Sequence, residues 1–250
     1  MLAQGSAVGC PLADRSAGVR PASIRGCGAS DSRGGYRGVV TAAAAFVLLD
    51  VDGTLIDAVA NQRRVWHEWA RIFHLNPAQV YAVALRTRPM DTVAEVAPDL
   101  NHDECLSTLH RLEDHDARHG TYSAFEGAAE LLAGLVAGRW AVVTSNYAHR
   151  VRERFSRTGL RAPEVIVDAR FSGPGKPAPD PYLYAAEVLG PAPEQCLVLE
   201  DSPSGVESAK GAEMIVWAVN TSVRIERADR TFNTLAKAVP HVLRMHRADQ

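Results

Sequence analysis

The 250-residue chain is poor in cysteine and in lysine and has no long apolar run. Four cysteines are too few for the disulfide frameworks that hold small secreted domains together. A chain of this size can bury a sizeable core without such staples, and a reducing, cytoplasmic setting is expected. The longest apolar run, Val39 to Leu49, falls well short of the roughly 20 residues that a membrane helix needs, and it leads straight into acidic residues. No membrane span is expected. Neither sign of charge is in surplus, since 27 Lys and Arg face 29 Asp and Glu. That balance gives no electrostatic reason to expect nucleic acid or an anionic membrane as a partner. Lysine occurs only as Lys176, Lys210 and Lys237. What remains is ordinary globular usage, with 46% hydrophobic and 22% charged residues.

The first 44 residues differ from the rest. They are rich in Gly, Ser and Ala, show no helical or strand period, and carry Arg15, Arg20, Arg25, Arg33 and Arg37 against Asp14 and Asp31. Such a segment buries too little apolar surface to offset its ordering entropy, so residues 1–44 are expected to form a disordered tail. Its composition fits a transit peptide or an upstream start better than a secretory signal, because no apolar stretch follows a basic start. Cys10 and Cys27 sit in no metal-ligand spacing.

From Phe46 onward, short apolar runs alternate with helical patterns. The runs Phe46–Leu49, Trp140–Val143, Val165–Val167, Cys196–Leu199 and Ile215–Val219 are valine-rich and apolar on both faces, as buried parallel strands are. Gly159 ends one helix, and Asp180 before Pro181 reads as a helix start. The alternation predicts an α/β fold, a doubly wound parallel sheet with ligands at the carboxyl ends of its strands. Residues 59–120 break the pattern with helical signals alone. Trp66, Trp69 and Phe73 recur on one face, Asn76 and Pro77 open a second helix, and Asn101 with Glu104 opens another that Gly120 ends. A helical cap is thus expected to follow the first strand and to lie over the active-site edge of a core made of residues 45–58 and 121–250.

The strongest chemical signal is Asp50-Val51-Asp52-Gly53-Thr54 at the end of the first strand. In extended chain, residues i and i+2 point the same way, so both carboxylates are expected to enter one pocket. Together they need a neutralising cation, and a hard ion such as Mg²⁺ suits oxygen ligands. One carboxylate can then attack phosphorus while the other handles the leaving group's proton. Ser145, between Thr144 and Asn146, ends a strand and is expected to open a helix, where a hydroxyl and backbone N–H groups can hold a phosphoryl oxygen. Lys176, in Gly173-Pro174-Gly175-Lys176-Pro177, offers one point charge from a stiffened loop. That loop is no P-loop, because Arg170 and Pro177 stand where a glycine and a Ser or Thr belong. Glu200-Asp201-Ser202 brings further carboxylates to a strand end.

These four elements occur in the chain order of the haloacid dehalogenase superfamily, which the sequence resembles over residues 46 to 220. The insert between the first and second motifs resembles the C1-capped branch, with a Rossmann-like core. WAVVTSN, GKPAPDPY and LEDSPSGVESAKGA look most like sugar-phosphate and polyol-phosphate phosphatases. The resemblance implies an Mg²⁺-dependent phosphatase. Asp50 would be the nucleophile that forms an aspartyl-phosphate, and Asp52 the general acid/base. Ser145 and Lys176 would hold the phosphoryl group, with Thr54 and Asn146 beside them in substrate binding. Asp50, the Asp52 carbonyl and Asp201 would bind Mg²⁺, with Glu200 as a further ligand. The expected partner is a small phosphorylated metabolite, and the expected state a monomer or weak dimer.

Dehalogenases of the superfamily lack the second aspartate, which is present here as Asp52. Phosphonatases use a cap lysine, and residues 59–120 contain none. The β-phosphoglucomutase branch has a hinge histidine where Gln62 stands, with His67 the nearest, which favours hydrolysis over the alternative of a hexose-phosphate mutase. His115 and His119 share a helix face but have acidic neighbours, so a solvated surface is expected there rather than a metal site. Cys105 and Cys196 read as buried thiols. Arg88, with Arg86 second, is the cap residue expected to read the rest of the substrate.

Overall fold

A computed structural model describes residues 46–85 and 87–247. The expectations for the tail and for Arg86 fall outside them.

In chain order the elements are β1 (Phe46–Leu49), β2 (Ile56–Asp57), α1 (Val59–Ile72), α2 (Pro77–Ala84), α3 (Pro89–Val96), α4 (His102–His119), β3 (Ser123–Ala124), α5 (Ala128–Gly134), β4 (Trp140–Val143) and α6 (Ala148–Thr158). They continue with β5 (Ile166–Val167), α7 (Asp180–Leu189), β6 (Cys196–Glu200), α8 (Pro203–Gly211), β7 (Ile215–Ala218), β8 (Arg230–Thr231) and α9 (Leu235–Arg247). Six strands form a parallel sheet in the order β5-β4-β1-β6-β7-β8. Central β1 pairs Val47 with Trp140 on one side and with Leu197 on the other.

Strand alternation decides the layers. Val47 and Leu49 join a core with Leu131, Phe155 and Val239 from α5, α6 and α9. Leu48 faces the opposite way, into a core with Tyr182 and Ala185 of α7 and Val206 and Ala209 of α8. The sheet is therefore doubly wound, and β1 is buried from both sides. The five strands legible as apolar runs are β1, β4, β5, β6 and β7. β8 and the antiparallel pair β2–β3, joined through Ile56 with Ala124 and Asp57 with Ser123, are two-residue pieces that contain polar residues and so form no apolar run.

Helices α1 to α4 lie between β2 and β3, so the chain leaves and re-enters the sheet domain through that short ribbon. They have their own core of Val65, Trp66, Trp69, Val80, Val93, Cys105 and Leu109. Trp69 is fully buried, packs its ring 4.9 Å from that of Phe73 and donates its indole N–H to the Cys105 carbonyl at 2.9 Å. Asn76 caps α2 by accepting from Ala78 and Gln79, and Asn101 caps α4 by accepting from Glu104. The short α3 gave no sequence expectation, although Pro89 occupies its first turn with Arg88 ahead of it.

Two helix starts differ from expectation. Ser145 does not open α6, which begins three residues later at Ala148, where Asp168 Oδ2 accepts from the Ala148 N–H at 2.8 Å. α7 begins at Asp180 rather than after it, and the Pro179 carbonyl accepts from Tyr182 at 3.1 Å while the Asp180 side chain makes no cap. A carboxylate from another loop in one case, and a main-chain carbonyl in the other, satisfies the free N–H groups. Among the described residues no helix is long and apolar enough to cross a membrane.

Candidate active site

The carboxyl ends of β1, β4 and β6 meet at one point, and the chemistry-bearing residues follow from there. Asp50 directly follows β1 and stays on the sheet ladder through its N–H, which donates to the Leu199 carbonyl at 3.1 Å. The chain then turns sharply: the N–H groups of Leu55 and Ile56 both donate to the Val51 carbonyl at 2.9 Å. Gly53 has φ +99° at this turn, and a Cβ there would lie 2.0 Å from Asp201 Oδ2. Only glycine permits both the turn and the close approach of the second acidic segment.

Lys176 sits at the centre of the floor. Its Nζ donates to Asp50 Oδ1 at 2.9 Å, to the Val143 carbonyl at 3.0 Å and to Glu200 Oε1 at 2.6 Å. It thereby ties β4, β6 and the end of β1 together. Glu200 is 0% exposed. Its Oε1 also accepts from the Tyr182 hydroxyl at 2.9 Å, and its Oε2 accepts from the Asp201 and Ser202 N–H groups and from Ser202 Oγ. Asp201 lies next to it, with Thr54 Oγ1 donating to its Oδ1 at 3.3 Å.

Asp50, Glu200 and Asp201 can each bring a carboxylate oxygen within 4.8 Å of the others, and among the described residues they form the one cluster of three or more candidate metal ligands. One lysine does not neutralise three acids, and the electrostatics record the surplus. Burial, with the Glu200 and Asp201 charges beside it, raises Asp50 well above the usual carboxylate range against the pull of Lys176. Burial and the Glu200 charge push Asp201 up to about 7. Burial disfavours the charged form of Lys176, but Asp50 and Glu200 outweigh it and hold the ammonium well above its ordinary value.

Asp52 has different surroundings. The Arg154 guanidinium donates to both of its oxygens, and Asn146 Nδ2 donates to Oδ2 at 3.2 Å. The expectation that the two carboxylates share one neutralising cation is therefore revised. Lys176 pairs with Asp50 and Arg154 with Asp52, so each carboxylate has its own cation. Ser145 follows β4 on the exposed rim, and among the described residues its hydroxyl makes no hydrogen bond. Thr54 is buried and points its hydroxyl at Asp201. Arg88 is elsewhere, at the head of α3, with its side chain 70% exposed and paired with Asp91 at 3.0 Å.

Sequence reasoning missed four residues here. Arg154 pairs with Asp52, and Tyr182 holds Glu200. Asn220, at φ +55°, donates to the Gly53 and Thr54 carbonyls at 2.8 and 3.0 Å and pins the turn. Asp168 caps α6. Tyr182 closes the GKPAPDPY segment, and Asn220 directly follows an apolar run. Nothing local marks Arg154, one of several arginines on α6.

An open parallel sheet with a lysine and clustered carboxylates at the carboxyl ends of its central strands makes a place for a charged ligand. A profile of the haloacid dehalogenase-like hydrolases matches residues 45–213, and the chain belongs to that family. It is 37% identical to hexitol phosphatase A of Escherichia coli over 75% of this chain and 90% of that protein. It is 28% identical to glycerol-1-phosphate phosphohydrolase 2 of Saccharomyces cerevisiae over 72% and 76%. Similarity to a β-phosphoglucomutase of Mycobacterium bovis, at 30% identity, extends over 48% of this chain and 47% of that one. The crystal structure of CbbY from Rhodobacter sphaeroides in complex with phosphate shares the fold, with a TM-score of 0.68 and 22% identity over 78% of this chain and 96% of that one.

Proposed function

We propose that the protein is an Mg²⁺-dependent phosphatase that hydrolyses a small sugar or polyol phosphate monoester through an aspartyl-phosphate on Asp50. The observation that carries this reading is the pair of differently paired carboxylates two residues apart. Asp50 is buried with Lys176 among excess negative charge, and Asp52 is paired with Arg154. The similarity to hexitol and glycerol phosphate phosphatases over most of the chain supports the substrate class.

In this reading an Asp50 oxygen attacks phosphorus in line with the ester oxygen, which leaves with a proton from Asp52. Water then attacks the phosphorus of the aspartyl-phosphate, Asp52 takes its proton, and inorganic phosphate departs. Lys176 neutralises charge at Asp50 and the phosphoryl oxygens, and the Ser145 hydroxyl donates to one of those oxygens. The crowded acids fit a hard divalent cation, because burial and the neighbouring carboxylate charges raise both Asp50 and Asp201, and a cation would offset both. Asp50, Asp201 and the Asp52 carbonyl would hold Mg²⁺, which supplies charge neutralisation at the transferring group. Glu200 is assigned differently from the sequence expectation. Its two oxygens already accept from five donors, so it positions Lys176 rather than completing the metal site.

Specificity falls to the cap, where Arg88 stands as the candidate reader of the sugar. Gln62 on α1 offers no imidazole at the hinge, which favours release of phosphate over transfer to a second hydroxyl. The test is the purified protein with Mg²⁺ against sugar, polyol and nucleotide monophosphates, assayed for inorganic phosphate and for isomerised hexose phosphate. Phosphate release from a sugar or polyol ester is expected. Isomer without phosphate would establish the mutase, and no turnover of any ester would overturn the reading.

A further inference from the structure

Arg154 is 4% exposed, and its guanidinium is committed to Asp52. Its Nη1 donates to both carboxylate oxygens, its Cζ lies 5.1 Å from the centroid of the Tyr122 ring, and among the described residues its Nε has no partner. A cation buried at the cost of one unsatisfied N–H is expensive and needs a compensating role. Its surroundings suggest one. Tyr122 donates its hydroxyl to Asp116, near the C-terminus of α4, and Asp116 also accepts from Asn61 in the first turn of α1 at 3.0 Å and from Arg64. Asn61 follows β2 by four residues and Tyr122 directly precedes β3, the two strands through which the cap joins the core.

α6 repeats the theme along one face, at spacings of four and three residues. Arg150, also buried, donates to Glu113, to Asp114 at 2.6 Å and to the His110 carbonyl at 3.2 Å, all on α4. Arg157 donates to the Arg118 and Gly120 carbonyls at 2.7 and 2.9 Å, where α4 ends. Between these two clamps, Arg154 reaches past the cap to Asp52. One helix therefore holds both the cap and the second carboxylate.

We propose that Arg154 is a positioning residue for proton transfer: it aims the Asp52 carboxylate at the ester oxygen and makes that aim depend on the docked cap hinge. The proposal rests on the phosphatase reading above, in which Asp52 moves the proton. Among the described residues Asp52 accepts one other side-chain hydrogen bond, from the Asn146 amide, so without Arg154 its carboxylate has a single restraint. Since one nitrogen makes both contacts, a lysine at this position keeps the charge and much of the restraint.

The test compares two esters in the full chain with Mg²⁺. Glycerol 1-phosphate has an alkoxide leaving group that needs a proton, whereas 4-nitrophenyl phosphate releases a phenolate that does not. In Arg154→Met, the first-turnover rate on glycerol 1-phosphate should fall about 100-fold, within the usual range for general acid catalysis, and the rate on 4-nitrophenyl phosphate by less than about fivefold. Asp52→Asn should show the same split, Arg154→Lys should recover most of the lost rate, and the double variant should be no worse than Asp52→Asn alone. Misfolding lowers both esters together and leaves their ratio unchanged, so the ratio reports position rather than damage. If Asp52→Asn splits the esters and Arg154→Met lowers both equally or neither, the positioning role is overturned and the phosphatase reading survives. If Asp52→Asn does not split the esters, Asp52 does not move the proton and the positioning role is overturned with it. Where glycerol 1-phosphate is not turned over, the best sugar or polyol phosphate of the panel takes its place, and if the wild type releases phosphate from no ester, both readings fall.

Discussion

The floor around Asp50 and the hinge side around Asp52 lie two residues apart in sequence and are electrostatic opposites. On the floor, three carboxylates share one lysine, and two of the acids are displaced toward protonation. On the hinge side, Asp52 has Arg154, and Asp116 is surrounded by donors from Tyr122, Asn61 and Arg64. A surplus of negative charge seeks a cation from solution. A balanced, buried network has no such need and instead fixes geometry. In the proposed function Asp50 would meet a metal ion and a phosphoryl group, while Asp52 is held by its arginine.

The largest effect should come from the floor. Asp50→Asn keeps the shape and removes the attacking charge, and kcat should fall by at least about 1,000-fold on every ester, the scale of losing a covalent nucleophile. Steady-state assays on the alkyl and the aryl ester check it, and a variant within tenfold of wild type on either would erase the contrast between the two carboxylates.

Cation binding should separate the two sides next. Activity should vanish in excess chelator, return with Mg²⁺ and return poorly with Ca²⁺, whose looser coordination misplaces the attacking oxygen. Saturating Mg²⁺ should also stabilise the fold, by about 2–3 kcal/mol at 100 times its dissociation constant. Thermal melts should show that gain in the wild type and in Arg154→Met and lose it in Asp201→Asn. A gain preserved in Asp201→Asn would move the cation off the floor.

The cap clamp should show in stability. Arg150→Met leaves Glu113 and Asp114 without their buried partner, and since both acids keep some solvent the cost should be about 1–3 kcal/mol in denaturant unfolding. No change would mean that α6 does not bind α4 through this arginine.

The smallest effect concerns acid. Burial would raise Asp116, but hydrogen bonds from Tyr122, Asn61 and Arg64 prevail and hold its carboxyl below the usual range. A lowered folded pKa gives stability that is complete above the unfolded value, near 3.9, and is lost as pH falls through the folded one. Asp116→Asn should therefore be less stable than wild type at pH 6, by about 1 kcal/mol in denaturant unfolding, and the difference should shrink as pH falls below the ordinary carboxylate range. A difference that persists at pH 2 would show that the network acts through packing rather than charge.

How much of this was legible depended on distance along the chain. The strands of the sheet were visible because both faces of each are buried, so each reads as an unbroken apolar run. The floor residues were visible because each sits at the end of such a strand or in a proline-stiffened loop. The cap was visible as helices without strands, with Asn76 and Asn101 marking two of its starts. The start of α6 was not, because its first N–H is satisfied by Asp168, twenty residues further on.

Composition and local pattern alone therefore determined a doubly wound α/β core, a helical insert after its first strand, and a set of acids with one lysine at the strand ends. These follow from short-range rules of strand alternation, helix capping and turn chemistry, which act within a few residues. Only the tertiary structure decided which cation each carboxylate receives. Lys176 reaches Asp50 across 126 positions and Arg154 reaches Asp52 across 102, and one arginine among several on α6 was selected by the packing of that helix beside the hinge. Burial then turned the proximity into chemistry, because in a dry interior the nearest opposite charge decides what each acid can do.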